Sequence, residues 1–145
     1  MIDESLQVRR ILRATRERVW RAWTDPDEIS RWWWPQRFHT AYTVDLREGG
    51  EFQFRSEDLR DVGVLGITGR FLMIRPPEEL HYTWRWLHEE RESEVRVIFT
   101  DRGEQTEIQI EHLGLGSAEA RANHATGWND CLDRLASLTA GRLSR

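Results

Sequence analysis

The sequence of 145 residues contains no lysine, because all 21 of its basic residues are arginines. Without an ε-amino group the chain cannot form a Schiff base with a carbonyl substrate or with pyridoxal phosphate, and it cannot place a P-loop lysine on a nucleotide phosphate. Exclusive use of arginine is what a GC-rich bacterial genome would produce. The absence of lysine therefore excludes two classes of mechanism without indicating a fold.

Cysteine and metal-binding patterns are also scarce. Cys131 is the single cysteine, so the chain can form neither an intrachain disulfide nor a zinc site built on several cysteines. Its position in a predicted apolar helix stripe favours a small hydrophobic side chain over a nucleophile. The histidines, at positions 39, 81, 88, 112 and 124, include no helical i, i+4 pair. We therefore expect no metal site and no cofactor.

Long apolar runs and an excess of positive charge are missing as well. No segment approaches the roughly 18 apolar residues of a membrane span, and residues 1–10 lack the apolar core of a signal peptide. We therefore predict no membrane span and a cytoplasmic location. The net charge of −4 argues against a nucleic-acid partner. A content of 39% hydrophobic and 32% charged residues is typical of globular chains, and the length predicts a single domain over residues 1–145.

The first 35 residues carry the signals of one strand and two short helices. Loose alternation of polarity predicts a strand over Leu6–Leu12. Thr15 can cap a first helix. Asp25 followed by Pro26 is typical of an N-cap and the first residue of a second helix, which we expect to run to about Trp33.

The middle of the chain, from Phe38 to His112, has the two-residue periodicity of strands and regular turn signals. It predicts a meander of about six antiparallel strands. Three of these strands have one apolar face each: Leu80, Tyr82, Trp84 and Trp86; Val95, Val97 and Phe99; Ile108, Ile110 and His112. Gly63, Gly66 and Gly69 recur within one strand, which predicts a strongly curved sheet.

The last predicted element is a long helix from Ala118 to about Thr139, capped by Ser117. Its apolar stripe consists of His124, Trp128, Cys131, Leu132, Leu135 and Leu138. Gly127 lowers helix propensity, and we interpret it as allowing close approach to the sheet. The order of elements predicts an α+β fold: a curved antiparallel sheet of about seven strands wrapped around a long C-terminal helix, with two short helices after the first strand.

Four stretches, in this order, give the sequence a family resemblance. They are RVWRAWTDP at residues 18–26, DLREGGEF at 45–52, PPEEL at 76–80 followed by YTW at 82–84, and GW at 127–128 followed by LDRL at 132–135. In these stretches the chain resembles the family named for homology to the activator of the heat-shock-protein-90 ATPase, within the START-like, polyketide cyclase (SRPBCC, helix-grip) superfamily. The resemblance implies a helix-grip fold with a cavity, usually apolar, between the sheet and the long helix. It implies no shared set of catalytic residues.

The residues expected to line this cavity are mostly aromatic. Flat rings with one polar edge suit a small-molecule pocket, although the same rings could simply fill a core. The predicted ligand-binding residues are Trp33, Phe54, Arg70, Leu72, Tyr82, Trp84, Trp86, Val97, His112, His124 and Trp128. Arg70 is included because it shares strand parity with Leu72 and Ile74.

Three functions remain open from the sequence. The first is binding of a small apolar or aromatic molecule in the cavity. The second is a cyclase or dehydratase reaction, which requires at least two of His112, His124 and Arg70 to meet in one solvent-connected cavity. The third is a protein-interaction or co-chaperone-like role, including homodimerisation. It would use tryptophans 32–34. Three consecutive helical side chains cannot all point inward, so we expect at least one exposed ring there, either at the rim of a pocket or at a partner interface.

Overall fold

The computed structural model describes residues 5–143. The strands are β1 (Leu6–Leu12), β2 (Ala41–Val44), β3 (Glu51–Leu59), β4 (Gly63–Arg75), β5 (Glu79–Trp86), β6 (Glu92–Arg102) and β7 (Gln105–Leu113). The helices are α1 (Arg16–Thr24), α2 (Pro26–Ile29) and α3 (Ala118–Leu143), and a 3₁₀ turn covers Gln36–Phe38. None of the helices in this part of the chain is both long enough and apolar enough to cross a membrane.

The seven strands form one antiparallel sheet in the order β1-β7-β6-β5-β4-β3-β2. The meander thus pairs each strand from β2 to β7 with its neighbour in sequence, and β1 closes the far edge against β7. Irregular registers in β3 and β4 contribute to the curvature of the sheet. With the long C-terminal helix, this arrangement confirms the predicted α+β helix-grip fold.

Strand β4 contains a bulge after Phe71, which interrupts the regular alternation of inward and outward side chains that the sequence suggests. Phe71 pairs with Tyr82, whereas Ile74 pairs with Leu80, so one extra residue lies between them. Phe71 is buried, and Ile74 packs against the core. Phe71 and Ile74 therefore share the packed face of β4 although they are three residues apart. Regular alternation counted back from Ile74 would instead place Leu72 and Arg70 on the packed face.

The two short helices begin as predicted. The Thr15 side chain accepts a hydrogen bond from the amide of Arg18, and the Asp25 side chain caps α2 with Pro26 at its start. The second helix ends at Ile29, earlier than expected. In the turn that follows, the Ile29 carbonyl accepts hydrogen bonds from the amides of both Trp32 and Trp33.

This turn changes where the three consecutive tryptophans point. Trp32 is 0% exposed and Trp33 is 3% exposed, while Trp34 is half-buried and packs against the core. The indole Nε1 of Trp32 donates to the carbonyl of Ala22 at 2.8 Å. The expected helix through these residues is wrong, because α2 ends at Ile29, and the partly exposed ring among residues 32–34 is that of Trp34.

The inward faces of the sheet and of α3 form one core. The side chains predicted to face inward on β6 and β7 are all buried, and on β5 only Trp86 is half-buried. The α3 stripe packs against them as predicted, with His124 and Leu138 half-buried. The core is therefore one mixed cluster of aromatic and aliphatic side chains.

Candidate functional site

A cavity of about 180 Å³ lies where the end of β5, the turn after α2 and the first half of α3 meet. We call it the tryptophan cavity. Its walls are Trp33, Trp34, Trp84, Trp86, Asn123, His124, Gly127, Trp128 and Cys131. Five of these nine residues are tryptophans, so the surface offered to a ligand is largely flat and apolar.

Secondary structure explains how these side chains come together. Trp84 and Trp86 are two residues apart on β5, so both project from the same face of the strand. On α3, His124, Gly127 and Trp128 follow the i, i+3, i+4 spacing of one helix face. The turn after α2 supplies the opposite wall of the cavity.

The indole rings meet one another at varied angles rather than in one stack. Trp34 and Trp86 are nearly parallel, with an interplanar angle of 10° and ring centroids 6.4 Å apart. Trp33 meets Trp128 edge to face at 84° and 5.5 Å, and Trp84 is tilted against Trp128 at 5.6 Å. Such ring contacts contribute stability beyond simple burial, so the tryptophans of the wall support one another.

Arg134 fixes the turn that carries two of the tryptophans. Its Nε donates to the carbonyl of Trp32 at 2.9 Å, and its Nη2 donates to the carbonyl of Trp33 at 2.8 Å. The Sγ of Cys131 also donates to the carbonyl of Trp33, at 3.0 Å. The backbone carbonyls at the end of the turn lack helical partners, and the guanidinium of Arg134 satisfies two of them.

His112 lies behind the tryptophan cavity, and both of its ring nitrogens are occupied. An indole N–H can only donate, so the bond of 3.1 Å from Trp128 Nε1 makes His112 Nδ1 an acceptor. The proton is therefore on Nε2, which donates to Ser93 Oγ at 2.8 Å, and the Ser93 hydroxyl donates to the carbonyl of Trp84 at 3.3 Å. This chain of bonds satisfies a neutral imidazole.

The surroundings of His112 oppose its protonation. The side chain is 0% exposed, and burial together with the nearby His124 lowers its pKa to about 3. Protonation at Nδ1 would also break the bond from Trp128. His112 is thus held neutral at physiological pH, in the role of a positioning residue for Trp128.

His124 differs, because it reaches the cavity itself. Its Nε2 accepts a hydrogen bond of 3.3 Å from the indole of Trp86, so its proton is on Nδ1. Burial lowers its pKa below the usual value, while the charge of Glu89 partly opposes this effect. A neutral His124 adds one hydrogen-bond donor to an otherwise apolar wall.

A second cavity, of about 160 Å³, adjoins the first and has more polar walls. We call it the polar cavity. Its walls are Trp84, Trp86, Glu89, Arg91, Ser93, Leu115, Ala120, Asn123 and His124. Four of these residues also line the tryptophan cavity, so the two spaces adjoin along a shared part of their walls.

The indoles of Trp33 and Trp84 carry buried Nε1 donors that have no acceptor within the described residues. An unsatisfied buried donor costs about 1–3 kcal/mol. Such groups in native proteins call for an explanation, for example an ordered water or a ligand. Both rings belong to the wall of the tryptophan cavity.

The predicted ligand-binding residues separate into four groups in space. Trp33, Trp84, Trp86, His124 and Trp128 line the tryptophan cavity. Phe54 and Tyr82 line a void of only about 20 Å³, and Val97 and His112 are fully buried without lining either cavity. Arg70 and Leu72 are exposed on the opposite face of the sheet, so their predicted place in the cavity is wrong, because of the bulge in β4.

The predicted ligand-binding set lacks four residues of the tryptophan cavity: Trp34, for which a pocket rim and a partner interface were both left open, and Asn123, Gly127 and Cys131. Helical spacing from His124 and Trp128 could have identified Gly127 and Cys131. A Cβ atom on Gly127 would meet nothing within 4 Å, so this glycine opens the cavity instead of allowing close approach to the sheet.

Neither Cys131 nor any metal-binding cluster adds reactivity here. Burial raises the pKa of the Cys131 thiol to about 12, with Arg134 opposing the shift, so the thiol stays protonated. Within residues 5–143 there is no group of three or more His, Cys, Asp or Glu side chains placed to hold a metal ion.

Comparison with known proteins identifies relatives in both sequence and structure. The family model described as "Activator of Hsp90 ATPase homolog 1-like protein" matches residues 13–140. No curated protein matches the sequence.

Solved structures resemble the fold over nearly the whole chain. Protein CV1439 from Chromobacterium violaceum has a TM-score of 0.83 at 26% identity, covering 93% of this chain and 96% of that one. CalU16 from Micromonospora echinospora has a TM-score of 0.72 at 29% identity, covering 97% and 79%. PFC0360w, an HSP90 activator from Plasmodium falciparum, has a TM-score of 0.74 at 20% identity, covering 94% and 96%, and this likeness concerns the fold alone.

Proposed function

The chain belongs to the family of activator of Hsp90 ATPase homologue 1-like proteins, and we propose that it binds a small aromatic molecule in the tryptophan cavity. The observation that carries the proposal is a cavity of about 180 Å³ with five tryptophans in its wall. An apolar protein cavity of about 150 Å³ is large enough to hold benzene. The space therefore suits one aromatic ring with a small substituent.

The polar groups of the wall refine this proposal. The wall carries hydrogen-bonding groups on Asn123 and His124 besides the unpaired indole donors of Trp33 and Trp84, and a few such groups in an apolar pocket orient a ligand. Because the tryptophan rings pack against one another, little side-chain ordering has to accompany binding.

Binding has more support than catalysis. The reaction alternative needs two of three polar groups in one cavity, and only His124 lines the tryptophan cavity. His112 has both ring nitrogens engaged, and Arg70 is exposed on the other side of the sheet. A lone neutral imidazole supplies shape and one hydrogen bond.

The interaction alternative also has less support than ligand binding. It relied on an exposed patch at tryptophans 32–34, whereas Trp32 and Trp33 are buried and Trp34 stacks on Trp86. Of the two positions left open for the exposed ring, a pocket rim and a partner interface, the place of Trp34 in the cavity wall supports the first.

Calorimetric titration with p-cresol tests the proposal, with 4-methylcyclohexanol as the non-aromatic control. Gly127→Leu should fill the cavity and abolish p-cresol binding. Gly127→Ala is the matched variant, because its added methyl group meets open space and should leave most of the cavity free. Alanine also improves helix propensity by about 1 kcal/mol, so this variant should unfold at a higher temperature.

The expected result is preference for p-cresol over 4-methylcyclohexanol, with binding retained in Gly127→Ala and lost in Gly127→Leu. Circular dichroism establishes that both variants fold. Equal binding of p-cresol to wild type and to Gly127→Leu would contradict the proposed site, as would the absence of any p-cresol binding to wild type.

A further inference from the structure

The polar cavity has two opposite charges in its wall that do not neutralise each other. Glu89 and Arg91 both line it. Within the described part of the chain, Glu89 forms an ion pair with His88. No ion pair at or below 4.0 Å joins Glu89 to Arg91 among these residues. One carboxylate and one guanidinium thus border the same space while remaining separate.

Arg91 is held in place by the loop before α3. Its Nη1 donates to the carbonyl of Gly114 at 3.3 Å. Its guanidinium packs against Gly116, where an added Cβ would lie 2.9 Å from Arg91 Cζ. Gly116 has a φ of +93°, which also favours glycine there. The guanidinium therefore has a defined position although the side chain is exposed.

The loop that carries Glu89 is anchored through its backbone. The amide of Glu89 donates to the carbonyl of Trp86 at 3.0 Å, and its own carbonyl accepts from Arg85 Nη1 at 2.9 Å. Among the described residues, the Glu89 carboxylate forms an ion pair with the exposed His88, at 3.7 Å, and its charge also acts on His124. The backbone thus places a negative charge at the rim of the cavity.

The wall shared by the two cavities carries no formal charge of its own. It consists of two indoles, the Asn123 amide and a neutral His124. A molecule that occupies both cavities would have its ring among the tryptophans and its other end between the Glu89 carboxylate and the Arg91 guanidinium.

Building on the proposed ligand-binding function, we propose that the natural ligand is a zwitterionic aromatic amino acid or a close derivative. Its ring would occupy the tryptophan cavity, its ammonium group would lie near Glu89, and its carboxylate would lie near Arg91. A simple aromatic acid would meet the negative Glu89 unpaired, and a simple aromatic amine would meet the positive Arg91 unpaired. Only a ligand with both charges complements both residues.

A matched set of four probes tests this inference by titration: L-phenylalanine, 3-phenylpropanoate without the ammonium group, 2-phenylethylamine without the carboxylate, and ethylbenzene without either. The probes are titrated into wild type, Glu89→Gln and Arg91→Gln. Arg70→Gln is the control for loss of an arginine charge, because Arg70 is exposed on the other face of the sheet. Glu90→Gln is the control for the neighbouring carboxylate outside the cavity wall.

The expected result is tightest binding of L-phenylalanine to wild type. Because both charges are partly screened by water, each cavity variant should weaken it by about three- to tenfold. Arg91→Gln should also weaken 3-phenylpropanoate and spare 2-phenylethylamine, whereas Glu89→Gln should do the reverse. Both control variants should behave as wild type.

Equal affinity of ethylbenzene and L-phenylalanine would overturn the inference, as would cavity variants that behave like their controls. Failure of all four probes to bind would also overturn it. The p-cresol titration separates this failure from that of the proposed function: if p-cresol binds wild type and not Gly127→Leu, the aromatic site stands and the zwitterionic ligand is excluded.

Discussion

His112 shows how a single residue that looks suited to chemistry can serve structure. Its neutral ring joins the indole of Trp128 on α3 to Ser93 on β6 through two hydrogen bonds. The sequence could place it on the inward face of β7. It could not show that both ring nitrogens would find partners there, because these partners come from distant parts of the chain.

The buried neutral state of His112 predicts a pH-dependent stability. In the unfolded chain its pKa is near the ordinary value of 6.5, and in the folded protein it is about 3. The unfolded state therefore binds more protons between these values, so the contribution of His112 is complete above pH 6.5 and is lost as the pH falls toward 3. The slope should be about 1.4 kcal/mol per pH unit.

Urea unfolding of wild type and His112→Gln between pH 7 and pH 4 measures this effect. The variant should lose less stability over the interval, because glutamine does not titrate. His88→Gln removes an exposed histidine and should leave the wild-type slope unchanged. Parallel curves for wild type and His112→Gln would show that His112 is not held neutral by the fold.

At the scale of elements, β4 determines which side chains reach the core. Gly69 lies where the strand approaches its neighbours most closely, since a Cβ atom there would be 2.0 Å from the carbonyl oxygen of Thr83 and 2.5 Å from the ring of Phe52. The three glycines did indicate an irregular strand. The position of the extra residue beyond Phe71 depends on pairing with β5, so the sequence alone assigned Arg70 and Leu72 to the wrong face.

We predict that Gly69→Ala destabilises the protein by about 1–3 kcal/mol, because the added methyl group forces backbone or ring movement in a packed sheet. The free energy of unfolding from urea titration measures the loss. Gly127→Ala is the comparison, since its methyl group meets open space. Equal stability of Gly69→Ala and wild type would contradict the close packing of Thr83 and Phe52 around Gly69.

The turn after α2 is the element that the sequence predicted least well. Its tryptophan carbonyls are bound by Arg134, about one hundred residues away in the sequence. Periodicity within residues 25–35 carries no information about such a partner. Pattern reasoning therefore extended the helix and left one ring exposed.

Arg134→Lys should loosen this turn, because an ammonium group cannot reproduce two hydrogen bonds from a planar guanidinium. We expect a loss of about 1–3 kcal/mol in unfolding free energy and weaker p-cresol binding. Arg31→Lys tests the same change at an exposed arginine beside the turn. Retention of full stability and binding by Arg134→Lys would contradict the role of Arg134 in positioning the cavity wall.

At the scale of the whole molecule, the fold fills most of the space between sheet and helix and leaves room at one end. The void among the aromatic side chains near β3 is only about 20 Å³, whereas the tryptophan cavity is about 180 Å³. Fold class and inward aromatic faces were predictable, because they depend on periodicity and on motifs along the chain. The location of the empty space was not, because it depends on how side chains from separate elements fit together.

The most direct test of the central claim is a two-dimensional ¹H–¹⁵N spectrum of the eight indole N–H groups during titration with p-cresol. Single tryptophan-to-phenylalanine variants assign the signals. We predict saturable chemical-shift changes for the indole N–H signals of Trp34, Trp86 and Trp128, which line the tryptophan cavity. The signal of Trp20, which packs against Phe99, should not shift. Unchanged signals from Trp34, Trp86 and Trp128, or an equal shift of Trp20, would contradict this prediction.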